Sequence, residues 1–251
     1  MEQYKRFAKL LASESSKIIK NYFRTSFNVE IKSDESPVTI ADKKAEEIMR
    51  ELIMKEYPEH GILGEEFGKY NENAEYQWIL DPIDGTKSFI CGTVTFGTLI
   101  ALLKNGEPVL GVINQPVLSE FLIGDNQTAM LNNVRVACRN CSSLSAAVLL
   151  TTDHLNIARY QNAAKFDKLT KKVKLYRNWG DCYGYYLLAT GYADIMIDPV
   201  MSVWDSMALI PVIRGAGGII TDYHGNNVVT GNSIAASVMN IHNEVIDILN
   251  S

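Results

Sequence analysis

Little in this chain suits a secreted or membrane-bound life. Only four of its 251 residues are cysteine (Cys91, Cys138, Cys141 and Cys182), too few and too scattered for a disulfide scaffold. No apolar run reaches the roughly 18 residues that a membrane span needs. The N-terminus, MEQYKRFAKL, lacks the charged-then-apolar pattern of a leader peptide. Basic residues are not in excess: 24 Lys+Arg face 29 Asp+Glu, a net charge of −5, so no general basic field exists to hold nucleic acid. The four histidines (His60, His154, His224, His242) form no H-x-H or H-E-x-x-H pattern, and any metal chemistry must therefore use oxygen ligands. Cys138 and Cys141 form a C-x-x-C with no second pair and no histidine at ligand spacing, which reads as a reduced pair on a strand edge. Repeats and low-complexity linkers are also missing. What is present is an ordinary globular composition, 47% hydrophobic and 21% charged. The expectation is a soluble, cytoplasmic protein without nucleic-acid or membrane partners.

Periodicity divides the chain into two halves with a seam near residues 132–146: an N-terminal α+β half (1–140) and a C-terminal α/β half (141–251), packed as one body. Phe7, Leu10, Leu11, Ile18 and Ile19 predict a first helix. Ala45, Ile48, Met49, Leu52 and Ile53 predict a second, opened by Thr39 in a T-x-x-D box and stopped by Pro58. The polar stretch Lys32–Ser36 between them reads as a loop. Strand patterns begin at Tyr76, where Gln77-Trp78-Ile79-Leu80 runs into Asp81-Pro82. A hairpin over Phe96–Leu103 and Val109–Ile113 turns at Asn105-Gly106, and strands at Glu120–Ile123 and near Met130 extend the meander. The second half alternates: strand Ala147–Thr151, helix Leu155–Leu169, strand Val173–Tyr176, helix Tyr183–Thr190, strand Asp194–Ile197, helix Asp205–Ala216. Strands near Ile219 and Ala235 and a helix from about Ile241 complete it.

Acidic residues collect where strands end or helices begin. Glu65-Glu66 follows the apolar pair Ile62-Leu63, and taken alone is a solvated turn. Asp205 alone is a helix N-cap. The segment D-P-I-D-G-T (81–86) is harder to explain structurally, because it sets two carboxylates and an intervening carbonyl around a rigid proline directly after a buried strand. Two unit charges at about 5 Å repel by about 3 kcal/mol at an effective dielectric near 20, so the cluster implies a cation. All-oxygen ligands favour magnesium. Gly85-Thr86-Lys87 adds backbone N–H groups at a turn or helix start, an anion seat. Metal carboxylates beside a phosphate seat point to metal-assisted hydrolysis of a phosphate ester, a small-molecule substrate.

Glu65-Glu66, D-P-I-D-G-T (81–86) and W-D-S-M-A…G-A-G-G (204–218), in this order, resemble the inositol monophosphatase family of magnesium-dependent, lithium-sensitive phosphatases. The resemblance covers nearly the whole chain. It implies a layered α/β/α/β/α sandwich, an α/β (α+β) fold, and a homodimer. It also implies magnesium (two or three ions) held by Glu65, Asp81, Asp84, Asp205 and the backbone carbonyl of Ile83. Gly85 and Thr86 would hold the phosphate, while Thr86 pairs with Asp42 to orient the attacking water, with Glu65 near the nucleophile. Lys32–Ser36 matches the loop that carries the weaker third metal.

W-G-D-C-Y-G-Y (179–185), the segment 88–103 and G-V-I-N-Q-P-V-L (111–118) look most like the histidinol-phosphate phosphatase branch. A cationic amino alcohol would suit Asp181 and Asp198, with Arg177 reaching the phosphate or the ring. Asp181 is equally well placed as a helix N-cap, Trp179 as core, and Cys182 as a packed residue. The rival readings are a broad inositol-1-phosphate or sugar-phosphate phosphatase and, from another class, a non-catalytic regulatory relative.

Overall fold

The computed structural model describes residues 1–26, 29–31 and 37–251; the Lys32–Ser36 loop lies outside them. Helix α1 (Glu2–Tyr22) leads into a short ribbon, β1 (Val29–Ile31) paired with β2 (Pro37–Thr39), and then α2 (Ile40–Glu56). Thr39 caps α2 as its T-x-x-D spacing predicts: its hydroxyl accepts the Ala41 N–H at 3.1 Å, and the Asp42 carboxylate accepts the Thr39 N–H at 2.9 Å. Leu10, one of the residues whose spacing predicts α1, lies on its outer rim, 42% exposed.

Strands β3 (Gly61–Gly64), β4 (Gly68–Tyr70) and β5 (Tyr76–Asp84), the short helix α3 (Thr86–Ile90), and strands β6 (Gly97–Lys104), β7 (Glu107–Gln115), β8 (Glu120–Gly124), β9 (Ala129–Leu131) and β10 (Val134–Val136) follow. They form one sheet in the order β10-β9-β8-β7-β6-β5-β3-β4, antiparallel except for the parallel β3–β5 pair. Period-two alternation sorts its residues. Trp78, Leu80, Ile100, Leu102 and Val112 pack on α1 and α2, against Leu11, Met49 and Ile53. Ile79, Leu99, Ala101, Ile113 and Leu122 face the other way, toward the second half of the chain. Pro82 is tolerated inside central strand β5 because the β5–β6 register shifts between Asp81 and Asp84, so no ladder hydrogen bond is demanded of it.

The second half supplies β11 (Val148–Leu150), α4 (His154–Tyr160), α5 (Ala163–Thr170), β12 (Leu175–Arg177), α6 (Asp181–Ala189) and β13 (Ile195–Asp198). It ends with α7 (Val203–Ser206), α8 (Leu209–Gly215), β14 (Gly218–Thr221), β15 (Ile234–Val238) and α9 (His242–Asn250). Its sheet runs β12-β11-β13-β15-β14. Helices α6 and α8 contact both sheets, while α5 and α9 pack together beyond the smaller one, so the layers are α/β/α/β/α. The long helix expected over 155–169 is two helices, because the Asn162 side chain caps a new one by accepting the Lys165 N–H at 3.2 Å. Among the described residues no helix is long and apolar enough to cross a membrane.

Two glycines decide how closely the middle helices sit. Gly111 on β7 and Gly124 on β8 are directly opposite one another. A Cβ on Gly111 would meet the Ala208 carbonyl oxygen at 2.0 Å, and one on Gly124 the Pro211 carbonyl oxygen at 2.4 Å. The backbone that carries Asp205 therefore rests on the bare surface of the first sheet.

Candidate active site

The site forms where the ends of β3 and β5 meet the starts of α3, α6 and α7. Parallel pairing sets Gly64 beside Leu80, and the Glu65 N–H continues the ladder to the Leu80 carbonyl at 3.1 Å. Glu65 is thereby brought alongside Asp81. Asp81, two residues after Ile79, keeps the face that looks away from α1 and α2 and toward α7, which packs on β5. Asp205 is the third residue of α7 rather than its N-cap. Ser202 caps that helix, and the Asp205 Oδ2 accepts the Ser202 N–H at 2.8 Å. Asp84 accepts the Cys182 N–H in the first turn of α6, where the helix dipole favours a carboxylate.

Each of Asp81, Asp84 and Asp205 offers an oxygen, all within 4.8 Å of one another. Burial, and after it the neighbouring carboxylates, holds Asp81 and Asp84 well above the usual carboxylate range. Asp205 is pushed up to about 6, again chiefly by burial. The Oδ1 of Asp81, in a residue only 2% exposed, has no hydrogen-bond partner among the described residues. A buried carboxylate oxygen without a donor, in a cluster whose members repel one another, fits a hard divalent cation and little else. Among the described residues no other cluster of histidine, cysteine, aspartate or glutamate meets this spacing. The Cys138 thiol, pushed up to about 11 by burial, remains a thiol. Cys182 is buried too and held far above its ordinary range, a packed residue and not a nucleophile.

Next to the cluster, Gly85 takes the left-handed backbone at φ 85° and caps α3, whose first-turn N–H groups have no helical carbonyl to bond. The Thr86 hydroxyl donates to the Ile83 carbonyl at 3.1 Å. Asp42 and Thr86, expected as a pair, are not bonded to each other. Asp42 accepts from Thr39 through Oδ2, its Oδ1 is buried without a partner among the described residues, and burial pushes the group up to about 7.

Two adjoining cavities open onto these residues. The larger, about 430 Å³, is lined by Glu65, Gly85, Thr86, Lys87, Asp153 and Asp205 among others. The smaller, about 150 Å³, is walled by Asp84, Asp181, Asp198 and Asp205. Asp198 is buried in its wall, where Oδ1 accepts the Thr152 N–H at 3.0 Å and Oδ2 the Tyr185 hydroxyl at 2.9 Å. Asp181 follows the true N-cap, Gly180, and has a positive φ of 50°. Its carboxylate accepts the Ser88 hydroxyl at 3.0 Å, and burial pushes it up to about 6. Arg177 is exposed at the end of edge strand β12, turns its guanidinium back to the Tyr176 carbonyl at 2.7 Å, and lines neither cavity. Trp179 is 46% exposed, so it is not core.

Several contributors escaped sequence reasoning. Thr152, Asp153 and Asn156 line both cavities; they sit at the end of β11 and the start of α4, without a motif. Glu46 is completely buried, and its carboxylate accepts the Glu66 N–H at 2.7 Å and the Phe67 N–H at 3.2 Å, with Arg50 at 3.3 Å. It stands so close to Gly64 that a Cβ there would lie 1.9 Å from its Oε1. Glu46 thus fixes the turn that presents Glu65. The signal was available: a glutamate four residues after Asp42, on a helix face otherwise made of Ala45, Met49 and Ile53.

The model of the inositol monophosphatase family matches residues 1–250. The chain belongs to the inositol monophosphatase family. It is 43% identical to a chloroplastic bifunctional phosphatase of Arabidopsis thaliana over 99% of this chain and 75% of that one. It is 37% identical to a histidinol-phosphatase of Chlorobaculum parvum over 90% of this chain and 89% of that one. The solved structure of an inositol monophosphatase from Zymomonas mobilis superposes with a TM-score of 0.90 at 35% identity, covering 100% of this chain and 98% of that one. The chain is a phosphatase of this family, with an acidic cluster able to hold metal.

Proposed function

We propose that this phosphatase hydrolyses L-histidinol phosphate to L-histidinol and phosphate, with magnesium as its metal. The observation that carries the reading is the acidity of the cleft beyond the metal cluster. Asp153 and Asp181 line the larger cavity, and Lys87, beside the phosphate seat, is the cation among its lining residues. A substrate with a phosphate and, two carbons along from its ester oxygen, an ammonium group matches that polarity. The histidinol-phosphatase of Chlorobaculum parvum, similar over nine-tenths of the chain, supports it.

In this mechanism Asp81, Asp84 and Asp205, with Glu65 and the Ile83 carbonyl, would hold the magnesium, which when bound would supply Lewis acidity for the phosphoryl group and for the acidity of the attacking water. The first-turn N–H groups of α3, at Gly85 and Thr86, hold the phosphate oxygens in place. Asp42, through its unpartnered Oδ1, and the Thr86 hydroxyl orient the water, with Glu65 on the same side. The homodimer and cytoplasmic location implied by the family resemblance belong to the same reading.

The test is phosphate release, with magnesium and with an EDTA control, from equal concentrations of L-histidinol phosphate and inositol-1-phosphate. A preference of about 100-fold in kcat/KM, about 2.7 kcal/mol, is expected for histidinol phosphate. Comparable rates would instead favour the second reading, a broad phosphatase, which draws support from the bifunctional Arabidopsis thaliana relative and the Zymomonas mobilis inositol monophosphatase. Activity that survives EDTA would overturn the metal mechanism.

A further inference from the structure

The cleft holds more carboxylates than the chemistry needs, and hydrogen bonding sorts them. Asp84 and Asp205 belong to the metal cluster. Asp198 accepts one hydrogen bond at each oxygen, from Thr152 and Tyr185, and these hold β13 to the start of α4 and to α6. Asp181 is turned toward the phosphate loop: its Oδ2 accepts from Ser88, and a Cβ on Gly85 would lie 2.7 Å from that same oxygen. Its own N–H donates to the Thr152 hydroxyl at 2.8 Å. Asp181 is thus tied into the phosphate loop.

Asp153, like Asp181, has one carboxylate oxygen bonded and the other without a partner among the described residues, but its Oδ1 accepts the Leu155 N–H at 2.8 Å, so it is tied to the start of its own helix α4 and not to the phosphate loop. It is half-buried and lines both cavities, with the phosphate-seat residues Gly85 and Thr86 in the larger one and with Asp84, Asp181, Asp198 and Asp205 in the smaller. Beside it, Asn156 lines the same two cavities, a neutral donor and acceptor of the kind that fits an imidazole nitrogen.

We infer that Asp153 is the specificity-determining counter-ion for the ammonium group of the substrate, in the role that the sequence had pointed to for Asp181 and Asp198. The inference rests on the function proposed above and deepens it. In L-histidinol phosphate the amino group sits on the carbon next to the one that carries the ester oxygen. It lies close enough to the phosphate for one cleft to read both ends, and outside the bonds that break. Asp153 therefore acts on binding, which is expressed mainly in KM.

The test is Asp153→Asn in the full chain with magnesium, assayed on L-histidinol phosphate and inositol-1-phosphate. Asparagine caps a helix as well as aspartate does, so α4 keeps its start while the charge is lost. The ratio of kcat/KM for histidinol phosphate over inositol-1-phosphate should fall about 10- to 100-fold, as expected for a hydrogen bond to a charged group, mostly through a raised KM for histidinol phosphate. L-Histidinol should also weaken as a product inhibitor by a similar factor. If the wild type prefers histidinol phosphate and the variant keeps the same ratio, the assignment to Asp153 is overturned, whether or not overall activity drops. A wild type that shows no preference overturns the proposed substrate instead.

Discussion

Replacing Asp84 by asparagine should make the metal-free protein more stable while destroying its activity. Oxygens of Asp84, Asp81 and Asp205 lie within 4.8 Å of one another, and two unit charges at that distance repel by about 3.5 kcal/mol at an effective dielectric near 20. The substitution removes Asp84 from two such pairs, about 7 kcal/mol if all three carboxylates were ionised at that separation. Much of that is already relieved, because burial and neighbouring charge favour the protonated carboxyl. The amide oxygen of the new side chain can still accept the Cys182 N–H. A net gain of about 1–2 kcal/mol remains, which for a chain of this size is about 3–6 °C in Tm. The assay is a thermal melt in EDTA and again in excess magnesium, alongside phosphate release. Wild type should melt higher with magnesium, by about 2.7 kcal/mol of added stability at 100 times Kd. The variant should show little of that rise and at least a 1,000-fold loss of turnover. A variant that melts below wild type in EDTA, or one that remains fully activated by magnesium, refutes the reasoning.

Glu46→Gln places an amide donor against one of the N–H groups of Glu66 and Phe67; a stability loss of about 1–3 kcal/mol and a raised magnesium requirement are expected, and unchanged magnesium titration would remove Glu46 from the positioning of Glu65. Gly111→Ala drives a Cβ into the Ala208 backbone, so it should lower Tm by at least the equivalent of about 1–3 kcal/mol and weaken magnesium activation by shifting the segment that carries Asp205; normal melting and metal response would show that this contact is slack. His242 is buried against Ser237 and Thr221, and burial lowers it to about 4. The folded state therefore holds it neutral where the unfolded chain, titrating near 6.5, takes up a proton. Its contribution is fully present above about pH 6.5 and is lost as pH falls toward 4, up to about 3 kcal/mol. His242→Gln should flatten that part of the stability-against-pH curve relative to wild type, and parallel curves for the two proteins would contradict the linkage.

Local pattern alone determined a good deal of this protein. The T-x-x-D cap of α2, the hairpin turning at Asn105-Gly106, and the carboxylates packed into residues 81–86 are dictated by residues a few positions apart. Capping, turn geometry and charge repulsion all act at that range. The order of three motifs identified the family and, with it, the layered fold. Tertiary structure decided what depends on distant partners. Asp181 and Asp198 look alike in sequence as acidic wall residues, yet one is bonded to Ser88 beside the phosphate seat while the other accepts from Thr152 and Tyr185. Arg177, charged and close in sequence to Asp181, ends on an edge strand outside the cavities. Glu46 gains its role only because Gly64 leaves room for a carboxylate to reach the next turn. A carboxylate announces its charge in the sequence, but whether that charge is spent on the fold or left for a ligand is settled by the donors that the rest of the chain brings to it.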